Sequence, residues 1–184
     1  ATNGPNALSL DGIVRRDITS SFGSMTGTAE GIPLTVKLTL ANAAASCAAL
    51  AGYAIYLWHC DQAGNYSLYT APARNYLRGL QEAGADGVVT FQTIFPGCYS
   101  GRWPHIHFEV YTDLSSAVAG TGKVKTSQLA LPAAVCAEVY GTSGYASSKT
   151  NLAGVSLATD NVFSDGYDLE LASVDGDTGA GFVA

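Results

Sequence analysis

The segment His105–Tyr111, which reads HIHFEVY, constrains the fold most, because its polar and apolar residues alternate. This period of two is that of a β-strand, whose successive side chains point to opposite faces. Pro104 agrees with this assignment, since proline is tolerated at the beginning of a strand. The polar face carries His105, His107, Glu109 and Tyr111. Imidazoles at i and i+2 on a rigid strand suit a metal ion, although two half-exposed strand histidines are the simpler alternative.

Other segments with strand patterns favour an all-β domain. The predicted strands include residues 34–40, 54–60, 88–95, 126–131 and 167–174. Residues 133–140 are predicted as the one short helix, closed by Gly141. These elements predict a two-sheet β-sandwich of about seven or eight strands with long loops. Residues 1–33 are expected to form an irregular N-terminal arm, residues 34–174 the sandwich, and residues 175–184 a flexible tail.

The composition is that of a folded domain and gives no indication of nucleic-acid binding. The 184 residues are 47% hydrophobic and 13% charged, which is enough to form one domain with a buried core. The net charge is −6 and the Lys and Arg residues are scattered, so no basic surface for nucleic acid is expected. No apolar run reaches the ~20 residues of a membrane-spanning helix.

Three motifs follow one another across residues 53–111. The first is W-x5-G-x-Y, formed by Trp58, Gly64 and Tyr66, and the second joins D-G to a strand and P-G-x-Y, from Asp86 to Tyr99. The third, R-x-P-H-I-H, runs from Arg102 to His107. In this order they resemble the intradiol ring-cleavage dioxygenases, and most closely the secreted branch of that family. Only six positions separate Tyr99 from His105, fewer than in the familiar catechol and protocatechuate enzymes. This shortening is expected to open one wall of the pocket, and it leaves the identity of the substrate open.

The resemblance implies an immunoglobulin-like sandwich with non-haem Fe(III) at one end. Its metal ligands in this sequence would be Tyr66, Tyr99, His105 and His107. A catecholic substrate would be cleaved between its two hydroxyls with O2 to give a cis,cis-muconate. The resemblance also gives Arg102 the role of stabilising developing charge, with a surface ion pair as its alternative, and it suggests Gln128 as a supporting residue. His59, the third histidine, is interpreted as structural.

Four cysteines in a lysine-poor chain favour two disulfides and an extracellular protein. Cys60 and Cys98 each precede a predicted ligand tyrosine, so the pairing Cys60–Cys98 and Cys47–Cys136 is favoured, with four free thiols as the alternative. No segment resembles a dimerisation helix, so a monomer is expected. Extracellular substrates would include catechols released from lignin or other plant phenolics.

Two other functions remain open on the sequence alone. One is a non-catalytic module of the same fold that binds a metal or an aromatic ligand. The other is a Cu or Zn site that uses only the histidine pair. Colour distinguishes them, because Fe(III)–tyrosinate absorbs in the visible range whereas Zn is colourless and Cu(II) tends to blue.

Overall fold

The computed structural model describes residues 6–184 and consists mainly of β-strands in two four-stranded sheets. The strands are β1 (Pro33–Thr39), β2 (Ala41–Asn42), β3 (Ala48–Ala49), β4 (Ala54–Trp58), β5 (Arg78–Glu82), β6 (Val88–Ile94), β7 (His105–Tyr111), β8 (Lys123–Ala130), β9 (Asp175–Asp177) and β10 (Gly181–Val183). The helices are α1 (Leu114–Val118), α2 (Ala133–Val139) and α3 (Ala146–Leu152). In the described chain, every helix is too short or too polar to cross a membrane. The all-β sandwich predicted from the sequence is confirmed.

The first sheet has the strand order β6-β1-β10-β9. β1 and β6 are antiparallel, with Val36 opposite Phe91, and both side chains are fully buried. β10 joins the other edge of β1 in parallel, and Phe182 pairs with Leu34. The alternating apolar residues of β1 therefore face the core, as a half-buried strand requires.

The second sheet has the strand order β5-β4-β7-β8, with all neighbours antiparallel. Ile55 and Leu57 on β4 and Ile106 on β7 point into the main core between the two sheets. The residues between them in the sequence, such as Tyr56 and His107, therefore point to the opposite face of this sheet. That outer face carries the candidate site.

The N-terminal segment lies along the free edge of β5 rather than in solvent. Val14 forms a parallel bridge with Leu80, and Asp17 forms one with Gln92. Ile13 and Ile18 are almost fully buried, and Ile18 belongs to the main core. The segment thus covers backbone groups that an edge strand would otherwise leave unpaired.

The structure differs from the sequence-based expectations in three elements. Within residues 6–184, three short helices form instead of one. The first, α1, begins after Asp113, whose carboxylate accepts from the Ser116 N–H at 2.8 Å. Residues 167–174 form turns with a single bridge at Leu171 rather than a strand. Residues 175–184 are not a loose tail, because β9 and β10 complete the first sheet and Phe182 is only 3% exposed.

The two predicted disulfides are absent, and all four cysteines are free thiols. Cys47 is exposed, beside the β2–β3 hairpin, whereas Cys136 is fully buried in α2, so these two side chains do not meet. The Cys60 thiol points to the Gly97 carbonyl oxygen at 3.4 Å, and the Cys98 thiol points to the Arg102 carbonyl oxygen at 3.5 Å. The Cys60 and Cys98 thiols therefore each interact with a backbone oxygen and not with each other.

Candidate metal centre

The two histidines of β7 are fixed in place by the sheet. β7 pairs with β4 on one side and with β8 on the other, so its backbone is held along both edges. The His105 Nδ1 lies against the Trp103 carbonyl oxygen, which can only accept a hydrogen bond, so this nitrogen carries the proton. The Nε2 lone pair of His105 is then free to bind a metal, and it faces the Nε2 of His107 at 3.1 Å.

Tyr66 and Tyr99 come from two turns that lie against each other. The Asp61 carboxylate shapes the first turn by accepting hydrogen bonds from the N–H groups of Ala63 and Asn65. Gly64 has a φ of +88°, and a Cβ atom there would lie 3.0 Å from the Cβ of Tyr99. Any other residue at this position would be strained by the positive φ and would require Tyr99 to shift by a few tenths of an ångström. Glycine at position 64 therefore fits the close approach of the two turns better than any other residue.

A second glycine fits the other turn into place. A Cβ atom on Gly97 would approach the carbonyl oxygens of Asp61 and Gln62 to 2.6 Å. Such contacts are too short for any side chain, so only glycine allows the turn before Tyr99 to pack on the turn before Tyr66. The spacing of the motif glycines from the tyrosines therefore sets where both hydroxyl groups lie.

Four donor atoms converge on one small region. The Tyr66 hydroxyl oxygen lies 3.3 Å from His105 Nε2 and 3.1 Å from His107 Nε2. The Tyr99 hydroxyl oxygen lies 3.3 Å from His105 Nε2. The aromatic rings of the two tyrosines meet edge to face at 5.6 Å. The structure therefore brings together the four residues that the sequence predicted as metal ligands.

These separations fit a single bound metal ion. Ligand atoms about 2 Å from a common ion, at angles near tetrahedral, are about 3.3 Å apart. Two phenol oxygens and two imidazole nitrogens form a mixed set in which hard oxygen favours Fe(III). Among residues 6–184, no group of three or more His, Cys, Asp or Glu side chains could hold a metal. A metal site in the described chain that has further side-chain ligands besides His105 and His107 therefore needs the tyrosines.

Burial sets the protonation states of the four side chains. Desolvation lowers the pKa of His105 to about 4 and that of His107 to about 2, so both rings are neutral at pH 7, as metal ligands must be. Burial also raises the pKa of Tyr66 and of Tyr99. Without a cation both phenols stay protonated, and a strongly charged ion is needed to remove their protons.

Arg102 lies beside these ligands and is held from two directions. Its Nε–H donates to the Asp160 carboxylate at 2.9 Å, and an Nη2–H donates to the Gln128 side-chain oxygen at 2.6 Å. Asp160 is fully buried and also accepts from the backbone N–H of Trp103 at 2.7 Å. Burial alone would raise the pKa of Asp160, but the hydrogen bonds from Trp103 and Arg102 hold it below its usual value. The guanidinium is thus fixed in orientation at the edge of the site.

A cavity of about 650 Å³ opens beside His107 and Tyr66. Its floor is the outer face of the second sheet, where cross-strand neighbours form two rows. The first row is Arg78, Trp58, His107 and Gln128, and the second is Leu80, Tyr56, Glu109 and Thr126. The Trp58 ring stacks on the His107 ring at 4.8 Å and an angle of 2°. The cavity is large enough for a single aromatic ring with substituents.

Of the predicted residues, Arg102 and Gln128 contact each other, and His59 lies elsewhere. The His59 ring is buried, with its nitrogens at 2.8 Å from the Cys60 carbonyl oxygen and 2.7 Å from the Thr93 hydroxyl. Its place in the structure is that of a core histidine with both nitrogens paired. The sequence interpretation missed Asp160 and Arg78. Only the strand register could have indicated Arg78, because Arg78 pairs with Trp58 across the β4–β5 ladder.

Several solved structures that share this fold are intradiol dioxygenases. An intradiol ring-cleavage dioxygenase from Tetranychus urticae matches with a TM-score of 0.74 and 24% identity, covering 94% of this chain and 84% of the other. The dioxygenase domain of a dioxygenase–carbohydrate-binding protein fusion from Streptomyces sp. SirexAA-E matches with a TM-score of 0.61 and 26% identity, over 94% and 84% of the two chains. A 3-chlorocatechol 1,2-dioxygenase from Rhodococcus opacus matches with a TM-score of 0.58 and 19% identity, over 86% and 60%.

The sequence comparisons add no further relative. No protein-family model matches this chain, and no curated protein matches it by sequence. The resemblance predicted from the three motifs is nevertheless confirmed by the structural matches, which share the fold with this chain.

Proposed function

We propose that this protein is a non-haem Fe(III) dioxygenase that cleaves catechol-type aromatics between their two hydroxyls with O2, giving cis,cis-muconates. The observation that carries the proposal is the convergence of two phenol oxygens and two imidazole nitrogens, with neighbouring donor atoms 3.1–3.3 Å apart. Two of these residues, Tyr66 and His107, line a cavity of about 650 Å³ that can hold an aromatic ring. The intradiol enzymes among the structural matches support the same reaction.

His105, His107, Tyr66 and Tyr99 would hold the iron. Bound Fe(III) would supply a strong Lewis acid that draws electron density from a chelated catecholate and prepares its ring for O2. The two histidines are fixed on β7, so they would keep the site in place throughout the reaction. The tyrosines lie on turns, and a tyrosinate displaced by an arriving catechol would accept a proton from it.

Arg102 would stabilise the negative charge that develops on the bound ring. Its guanidinium is permanently charged and is fixed by Asp160 and Gln128, so it needs little reorganisation during the reaction. Its side chain is only 16% exposed, which places that charge where water screens it weakly. The Trp58 ring is stacked between Tyr56 and His107, and it would hold the His107 ring in its orientation beside the cavity.

The first test is a visible absorption spectrum of the iron-loaded protein, recorded before and after anaerobic addition of catechol. A broad visible band that moves to longer wavelength on adding catechol is expected, because tyrosinate and catecholate both donate charge to Fe(III). A protein that stays colourless after Fe(III) reconstitution would refute the proposal and favour a binding module. If only the colourless zinc-loaded protein or only the blue copper-loaded protein is active, a site built from the histidine pair would be favoured.

The location, assembly and natural substrates are separate proposals that rest on the resemblance to the secreted branch. We propose an extracellular monomer that acts on catechols derived from lignin or other plant phenolics. Fractionation of the producing cells tests the location, and light scattering on the purified protein tests the monomer. Recovery of the protein only inside cells, or a dimer mass, would contradict these two statements.

A further inference from the structure

The helix α3 lies against both turns that carry the predicted tyrosine ligands. The Ser148 hydroxyl accepts a hydrogen bond from the Cys98 N–H at 2.9 Å and donates one to the Gln62 carbonyl oxygen at 2.8 Å. Cys98 directly precedes Tyr99, and Gln62 lies in the turn that leads to Tyr66. A single side-chain oxygen therefore joins the two turns.

This joint is buried, so its hydrogen bonds are costly to lose. Ser148 is fully buried, and so is its hydrogen bond with the Cys98 N–H. Within residues 6–184 the Cys98 N–H has no second acceptor. Removing the hydroxyl would therefore leave an unsatisfied buried donor directly beside Tyr99.

The helix that carries Ser148 is itself fixed to the core. Tyr145, at the beginning of α3, is fully buried, and its hydroxyl donates to the Phe95 carbonyl oxygen at 2.7 Å and accepts from the Ile32 N–H at 3.1 Å. One turn further along α3, the Asn151 side-chain N–H donates to the Cys98 carbonyl oxygen at 2.8 Å. The helix can therefore act as a rigid support for the turns.

The two turns also meet directly, through the Gly97 N–H, which donates to the Asp61 carbonyl oxygen at 3.0 Å. A single hydrogen bond fixes a distance but still allows the turns to rotate about it. The bridge through Ser148 connects the next residue of each turn, Cys98 and Gln62, and so adds a second point of attachment. Two neighbouring attachments fix the orientation of the turns as well as their separation.

We infer that α3 positions the tyrosine ligands through Ser148, which holds the Tyr66 and Tyr99 hydroxyl oxygens close enough to share one metal ion. Both oxygens lie 3.3 Å from His105 Nε2, and this arrangement requires that the two turns keep a fixed separation. The inference rests on the proposed dioxygenase function. Ser148 is a positioning residue, since it contacts the backbone of the turns and not the ligand atoms.

Hydrogen exchange in the iron-free protein tests this inference without any metal. In the Ser148→Ala variant, the amides of residues 61–66 and of residues 97–102 should exchange about 10- to 100-fold faster than in the wild type, because a buried donor loses its acceptor and the turns separate more easily. Asn151→Ala removes a contact to residues 97–102 alone and should speed exchange only there. Ser147→Ala, which changes an exposed serine on the same helix, should leave both sets of rates unchanged.

Release of iron shows whether the effect reaches the metal ligands. After addition of a chelator to the iron-loaded protein, the visible band should disappear about 10-fold faster in Ser148→Ala than in the wild type. Val36→Ala is the control for general destabilisation, because it removes buried methyl groups from β1 in the other sheet. That variant should unfold at a lower temperature yet release iron at the wild-type rate.

Three results would contradict the inference or the function on which it rests. Wild-type exchange in both turns of Ser148→Ala, or iron release that is accelerated equally in Val36→Ala, would overturn the inference and leave Ser148 as a support of the fold alone. If Ser148→Ala does not fold, Asn151→Ala decides, and unchanged exchange in residues 97–102 of that variant would overturn the role of α3. If the iron-loaded wild type does not cleave catechol, the proposed function fails, whereas exchange in the iron-free protein still decides whether Ser148 joins the turns.

Discussion

The carboxylate of Asp160 should control both the stability of the domain and the activity of Arg102. Asp160 is fully buried, and one of its oxygens accepts from Arg102 Nε–H at 2.9 Å and from Trp103 N–H at 2.7 Å. Its other oxygen accepts from the N–H groups of Val162 at 2.8 Å and Phe163 at 3.2 Å. The substitution Asp160→Asn keeps the size of the side chain but replaces one of these acceptors with an NH2 group.

The cost of this substitution follows from the two donors that lose their acceptor. An asparagine can serve Val162 and Phe163 through its remaining oxygen, but its NH2 group would then face Arg102 and Trp103. Each unsatisfied buried donor costs about 1–3 kcal/mol, so the free energy of unfolding should fall by about 2–6 kcal/mol. A domain of this length loses about 2–4 °C of unfolding temperature for each kcal/mol, which gives a shift of roughly 8–16 °C for a loss near the middle of that range.

Urea denaturation, thermal unfolding and steady-state turnover measure these effects together. The four metal ligands are unchanged, so iron content after reconstitution should be retained, while kcat should fall at least about 10-fold because the guanidinium is no longer held in place. The exposed Asp165 in the same loop provides a matched control. Asp165→Asn should change neither the unfolding temperature nor kcat. An Asp160→Asn protein with wild-type unfolding temperature and wild-type kcat would refute the reasoning.

Three further predictions concern single side chains. Tyr66→Phe should lose iron and visible colour, whereas Tyr69→Phe at the cavity rim should keep both. Metal analysis measures this, and full iron content in the Tyr66→Phe variant would exclude Tyr66 as a ligand. Arg102→Ala should retain iron and its absorption band but lose turnover, and unchanged kcat would make this residue purely structural. Burial lowers the pKa of His59 to about 4 from its ordinary 6.5, so the neutral ring contributes stability above pH 6.5 that is lost as the pH falls to 4. In the iron-free protein this contribution amounts to about 3 kcal/mol, and His59→Gln should flatten the pH dependence of unfolding by that amount; an unchanged slope would contradict the assignment.

The part of the site that lies on β7 could be predicted from the sequence because strand periodicity is local. Alternation alone put His105 and His107 on one face and Ile106 on the other, and the structure has this arrangement. The tyrosines were assigned through motif resemblance, since no local rule connects residues on separate turns. Their proximity depends on Gly64 and Gly97, whose role becomes visible only when both turns are in place.

The remaining features depend on contacts between distant parts of the chain. Asp160 lies 58 positions after Arg102 in a segment without periodicity, so no spacing rule could pair them. Arg78 belongs to a residue type that is rarely buried, which favours a surface interpretation in any analysis of a single sequence. β10 pairs with β1 from the opposite end of the chain, so its few apolar residues resembled a loose end. The disulfides were inferred from cysteine number, which carries no information about the direction of each thiol.

The four predicted metal ligands differ in how firmly the backbone around them is held, and this difference would determine how iron is exchanged. The histidines lie on a strand that is paired along both edges, so moving them requires breaking the sheet. Tyr66 and Tyr99 lie on turns outside the strands, where local opening needs far less energy than global unfolding. A chelator should therefore remove iron through brief openings of these turns while the sandwich remains folded. Hydrogen exchange should accordingly be faster at the amides around Tyr66 than at those of β7. Conditions that speed up exchange at the amides around Tyr66 should also speed up the loss of iron.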